Sequence, residues 1–173
     1  KRSILASRNS WGDDILSGAT SSWYFSQNNY PNTELGNSGY TVKQLGCLVT
    51  SYAMIATFYG RSVSPATIAG DSGNFWNSGS NAGALRIEPP SPTGLSMSRY
   101  SIDWGRLDDE LDAGRPAIIS IYLPEVGALN SDGSSHWVVV YARDGDKYRM
   151  HDPLGGGRSY GFGQVKTLKV IRP

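Results

Sequence analysis

The sequence predicts an α+β domain with a helical first half and a β-rich second half. Apolar residues recur at helical spacing between Cys47 and Tyr59, whereas β-branched runs bounded by turn formers fill the last third. The 21 glycines and 9 prolines among 173 residues ask for more turns than a helix bundle uses. A chain of this length can bury a core without disulfides or metals, so one domain, or two very small ones, is expected.

Residues 1–40 mix Ser, Asn and Gly with aromatics and hold no helical period. Trp23-Tyr24-Phe25 could begin a short strand, and the aromatics around it should staple an irregular segment onto the core. Residues 1–22 read as an N-terminal extension leading into a domain at 23–173. Lys1-Arg2-Ser3-Ile4-Leu5 carries neither an initiator methionine nor an apolar signal core and reads as a processed end. In the helix from Cys47 to Tyr59, Val49, Tyr52, Ala53, Ala56 and Tyr59 share a face that Leu48, Ile55 and Phe58 widen. Gly60 should stop it in a left-handed conformation. Ser64-Pro65 is an N-cap followed by proline, which starts a short helix to about Ala69. Residues 70–98 show no period and read as a surface excursion. Asp103 caps a helix through Leu111, ended by Gly114 and Pro116. Strands follow at Ala117–Leu123, His136–Ala142, Asp146–Asp152 and Val165–Ile171.

Charge and composition narrow the function classes. The 16 Lys+Arg and 15 Asp+Glu leave a net charge of +1, which builds no basic stripe for nucleic acid. The longest apolar run, Trp137 to Ala142, is far too short to cross a bilayer, so no membrane insertion is expected. A single cysteine, Cys47, excludes an internal disulfide and a Cys-rich zinc module. No oligomer interface is legible, and a monomer is expected.

The lone cysteine stands at a predicted helix start, where unsatisfied N–H groups and the macrodipole favour a thiolate. The bland alternative is a buried structural cysteine. What favours chemistry is the hairpin around Arg143-Asp144-Gly145. A two-residue Asp144-Gly145 loop would set Val138 opposite His151 and throw His136 and Asp152 to opposite faces. A three-residue loop with Gly145 in a G1 bulge pairs Ala142 with Asp146, Val138 with Met150 and His136 with Asp152. The second register stacks apolar pairs on one face and is preferred. Cys47, His136 and Asp152 then have the makings of nucleophile, base and orienting group.

Three blocks resemble the C39-like cysteine peptidases of the papain-like superfamily. Gly46-Cys47-Leu48-Val49-Thr50-Ser51-Tyr52-Ala53-Met54, then Phe58-Tyr59-Gly60, resembles the nucleophile helix. Leu107…Leu111 and Gly114-Arg115-Pro116, then His136-Trp137 and Asp152-Pro153, resemble the helix, strand and hairpin that follow. Tyr24-Phe25-Ser26-Gln27 resembles the oxyanion-hole segment. One departure is Leu48-Val49, where many relatives carry Gly-Pro or similar. The resemblance spans about residues 23–155. It implies a papain-like fold with the nucleophile helix against an antiparallel sheet, a cofactor-free thiol peptidase or amidase, and a peptide or protein substrate. It also implies that Cys47 attacks, His136 moves the proton, Asp152 orients the ring, and Gln27 with the Cys47 N–H holds the oxyanion. Gln44 competes with Gln27 by closeness in sequence. Export or display at a bacterial cell envelope is the expected location. A transglutaminase-type acyl transferase and an inactive papain-like binding module are the alternatives.

Other features are weaker. Asn130-Ser131-Asp132-Gly133 lacks the later glutamate of a calcium loop and reads as a polar turn. His151 and Asp152 are strand neighbours facing opposite ways, which argues against a shared zinc. Gly155-Gly156-Gly157 lacks the Lys-Ser/Thr of a phosphate loop.

Overall fold

A computed structural model describes residues 10–173. Residues 1–9, including the start read as a processed end and most of the expected extension's first half, lie outside the described residues. The chain forms two compact units. One comprises the chain up to Thr20 with Ser98–Ile171, the other Ser21–Met97 with Arg172–Pro173.

The first unit is built on a seven-stranded sheet. Its strands are β1 (Ile15–Ser17), β2 (Ser96–Ser101), β3 (Ala117–Ile121), β4 (His136–Asp144), β5 (Lys147–His151), β6 (Ser159–Tyr160) and β7 (Val165–Arg172), in the spatial order β2-β7-β3-β4-β5-β1-β6. The expected sheet was antiparallel, and the observed one departs from that where β1 runs parallel to β5, with Ile15 opposite Tyr148. Three of its strands were not predicted: β1 and β6 are too short to leave a period in the sequence, and β2 begins within the stretch read as a surface excursion. One sheet face carries Ile119, Ile121, Val138, Val140, Tyr148 and Met150, which pack with Leu107 and partly buried Trp104 and Leu111 from a helix at Trp104–Asp112. That helix starts as predicted: the Asp103 side chain accepts the Arg106 N–H. Its buried Asp108 then accepts the Tyr148 hydroxyl at 2.5 Å and pairs with Arg143 at 3.5 Å, tying the helix to β5 and β4.

The hairpin follows neither predicted register. Asp144 pairs with Lys147, so the loop is the two residues Gly145-Asp146, with Gly145 at φ +65° as expected. Unmodified, that turn would send His136 and Asp152 to opposite faces. A bulge prevents it: Ala142 pairs with Arg149 but Val140 with Met150, so Tyr141 is an extra residue in β4. The pairing then continues through Val139 and His151, which places Asp152 across from Val138 and on the face of His136. The two are therefore diagonal neighbours rather than the opposed pair expected.

In the second unit, helix α1 (Val42–Leu45) leads directly into α2 (Cys47–Phe58), and α3 (Pro65–Ala69) follows; the Trp104–Asp112 helix is α4. A capping box opens α1, the Thr41 side chain accepting the Gln44 N–H while Gln44 Oε1 accepts the Thr41 N–H. From Val49 to Ala56 every residue of α2 is buried, so its middle is enclosed on all sides rather than along one stripe, and Phe58 is exposed. Gly60 lies past the helix end at φ +84°, and Ser64 caps α3 through the Thr67 N–H, both as predicted. No strand forms at Trp23-Tyr24-Phe25; the Trp23 ring instead meets Phe58 edge-on at 5.3 Å, and a 3₁₀ turn follows at Gln27–Asn29. The irregular stretch after residue 70 is more anchored than a surface excursion. Buried Asn74 donates to the carbonyls of Ile68 and Ser91 and accepts the Ser91 N–H, with Phe75 buried beside it.

Candidate active site

Cys47 is the first residue of α2 and is half-buried. The first N–H groups of a twelve-residue helix have no intrahelical acceptor, so the Cys47 N–H belongs to a donor-rich end. Gly46 before it is required by close approach: a Cβ there would fall 2.4 Å from the Val42 carbonyl oxygen, which accepts the Gly46 N–H at 2.7 Å. The tight α1–α2 junction thus excludes every larger side chain ahead of the thiol. One turn on, the Ser51 hydroxyl donates to the Cys47 carbonyl at 2.8 Å and fixes the first turn of the helix.

Gln27 is brought to this junction and Gln44 is not. Gln27 is buried, and its amide nitrogen donates to the Lys43 carbonyl at 3.0 Å with the Val42 carbonyl at 3.4 Å. Gln27 Oε1 has no hydrogen-bond partner although buried. Gln44 is exposed and its side-chain oxygen is held in the α1 capping box.

In the sheet unit, His136 Nε2 lies 2.7 Å from Asp152 Oδ1, with both residues 2% exposed. A carboxylate accepts only, so the ring donates through Nε2–H and its lone pair resides on Nδ1. Burial raises the cost of charge on Asp152. The His136 bond and charge, the Tyr160 hydroxyl on Oδ2 at 2.5 Å and the Leu154 N–H on Oδ1 at 2.9 Å outweigh it and hold the carboxyl below its ordinary range. Asp152 is therefore an anion aimed at one ring nitrogen of a buried imidazole, an arrangement that fixes tautomer and ring plane together. Tyr160 was not singled out in the sequence, because the β1 strand that carries β6 was itself unseen.

His151 faces away and stacks on Tyr141 with ring centroids 4.5 Å apart. Burial lowers its pKa to about 4, so it is neutral at ordinary pH. Asp132, in the turn considered for calcium, accepts from Ser120, Thr167 and Ser134. Against the cost of burial, those hydroxyls and the Ser134 N–H lower its pKa to about 2. It anchors the turn ahead of β4. Among the described residues, no group of three or more His, Cys, Asp or Glu side chains could hold a metal ion.

A crystal structure from Bacillus anthracis, described as that of a candidate C39-like peptidase, is similar to this chain. The match has a TM-score of 0.51 and 16% identity, covering 95% of this chain and 98% of that one, a likeness of fold alone. No curated protein matches the chain. The model of the Peptidase_C39 like family matches residues 22–167, a span that holds Gln27, Cys47, His136 and Asp152, and the chain belongs to that family.

Proposed function

We propose that the protein is a cysteine peptidase or amidase that works through Cys47, His136 and Asp152. The observation that carries this reading is the buried His136–Asp152 pair, whose 2.7 Å bond leaves Nδ1 as the basic nitrogen. In this reading the Cys47 thiolate attacks the carbonyl carbon of a peptide or amide, and the carbonyl oxygen becomes an oxyanion. His136, as imidazolium, gives its proton to the leaving amine, and a thioester on Cys47 remains. Water then attacks the thioester with His136 as base, releasing the acid and the thiol. Asp152 stays ionised throughout, orients the ring and stabilises the imidazolium. The Cys47 N–H and one Gln27 N–H receive the oxyanion. The Gln27 bond to Lys43 anchors that amide, and its longer approach to Val42 is the one to be given up.

The test reads the coupling of thiol and imidazole without a known substrate. Iodoacetamide should alkylate Cys47 of the wild-type protein at a rate that depends on His136. His136→Ala should slow that alkylation. A rate indifferent to His136 would refute the reading and leave a non-catalytic binding module. Digestion of a peptide library by wild type and Cys47→Ala then gives the reaction: cleavage lost with the thiol supports hydrolysis, whereas amine incorporation without cleavage makes the protein an acyl transferase.

A further inference from the structure

We propose that Tyr160 is a positioning residue for the His136–Asp152 pair, held in place by the N-terminal strand β1. The catalytic part of this proposal rests on the hydrolase reading; the structural part stands on the sheet unit alone. Tyr160 is 3% exposed and its hydroxyl donates to Asp152 Oδ2 at 2.5 Å. His136 Nε2 and the Leu154 N–H are both on Oδ1, and the phenol grips the second oxygen, which helps set the carboxylate plane. Its ring also meets His136 edge-on, centroids 6.1 Å apart.

The phenol keeps its proton. Burial, the Asp152 charge and the bond to Asp152 all raise its pKa above the ordinary value of a tyrosine, against an opposing contribution from Arg158. Tyr160 therefore remains a donor to the ionised Asp152 through neutral pH and does not compete with His136 as a base there.

Tyr160 reaches this position through β1. Ile15 pairs with Tyr148 on one side and Tyr160 on the other, so β1 is the spacer between β5 and β6. The Asp14 N–H donates to the Tyr160 carbonyl at 3.1 Å, Ser17 N–H to Arg158 at 3.2 Å and Gly163 N–H to Ser10 at 2.7 Å. Gly161 permits the contact, since a Cβ there would lie 2.3 Å from Trp11 Cα. Residues 10–17 precede the matched family span of 22–167, so this chain supports the pair with a segment outside that span.

The His136 Nε2 proton, bonded to a buried carboxylate, should give a far-downfield ¹H resonance that His136→Gln removes and His151→Phe keeps. In wild type it should persist through neutral pH and vanish only in acid, as Asp152 is protonated. Tyr160→Phe should raise the pH of that loss by about one unit, a tenfold weaker hold on the ionised carboxylate. It should also lower kcat about tenfold with KM unchanged. A folded Tyr160→Phe protein whose resonance and acid limit match wild type would overturn the proposal. If the resonance shifts but neither protein hydrolyses any peptide, the positioning role stands and the hydrolase reading falls. Should Tyr160→Phe not fold, 3-fluorotyrosine at position 160 of the otherwise intact protein decides. Its ¹⁹F signal should move with the same acid midpoint as the loss of the His136 proton, and a signal blind to that titration overturns the proposal.

Discussion

Acid should destabilise this protein in two separable steps, and the first belongs to His151. This ring is buried on β5 against Tyr141, and burial lowers its pKa to about 4. An unfolded chain titrates histidine near 6.5. Between these values the unfolded chain binds a proton that the fold refuses, so stability falls as pH falls. The contribution is complete above about pH 6.5 and exhausted below about pH 4. At about 1.4 kcal/mol per pH unit, a depression of this size is worth about 3 kcal/mol, a large share of a typical domain's stability. Urea unfolding at half-unit intervals from pH 7.5 to 4.5 measures it. Wild type should lose most of that amount over the range, whereas His151→Phe, which keeps a stacking ring without a proton site, should lose little of it. Equal acid slopes in the two proteins would refute the assignment. The second step lies lower. Asp152 and Asp132 carry depressed pKa values, so their contributions are present above the unfolded carboxyl range near pH 4 and vanish only as pH falls through the folded values.

Three further expectations follow from individual contacts. Gly46→Ala drives a methyl against the Val42 carbonyl and should cost about 1–3 kcal/mol by thermal melts, with Cys47 alkylation slowed as the helix start shifts. Gln27→Ala should reduce turnover about 10²–10³-fold, whereas Gln44→Ala should leave turnover intact and cost about 0.5–1 kcal/mol through the lost capping box. Asp132→Ala strips the acceptor from the buried Ser120 and Thr167 hydroxyls and should destabilise by about 2 kcal/mol in urea, with no change in alkylation of Cys47.

What the sequence made legible is what local chemistry decides. Gly60 and Gly114 sit past the ends of α2 and α4 at positive φ, and Ser64 and Asp103 cap as read, because caps depend on a few adjacent residues. The strands of the last third lie where β-branched runs put them. The hairpin was half legible: Gly145 at positive φ came from the turn chemistry, but the choice of loop length did not. Both predicted registers assumed an unbroken ladder beyond the turn, and the extra residue at Tyr141 made the observed two-residue loop compatible with His136 and Asp152 on one face. The pair was thus placed on the right face by an argument whose register was wrong. Its logic held through the apolar partners Val138, Val140 and Met150, since the core fixes faces more strongly than a turn fixes counts.

The two shortest strands were illegible for one physical cause. Strands β1 and β6 are three and two residues long, too short for any period, and they exist because of each other. The first is formed by partners 130 or more residues away along the chain, Tyr148 and Tyr160. Nothing in Ile15-Leu16-Ser17 alone favours a strand over the turns around it. Yet this pairing sets the hydroxyl of Tyr160 on Asp152, and through Asp152 it bears on the proton-carrying ring. In this chain the reactive residue types could be named from the sequence because thiol, imidazole and carboxylate are chemically conspicuous. The groups that hold the imidazole and carboxylate, a phenol, a bulge and a three-residue strand, are conspicuous only once distant segments have paired. A substitution at Gly161, which touches none of the reactive groups, should therefore disturb the pair as surely as one at Tyr160.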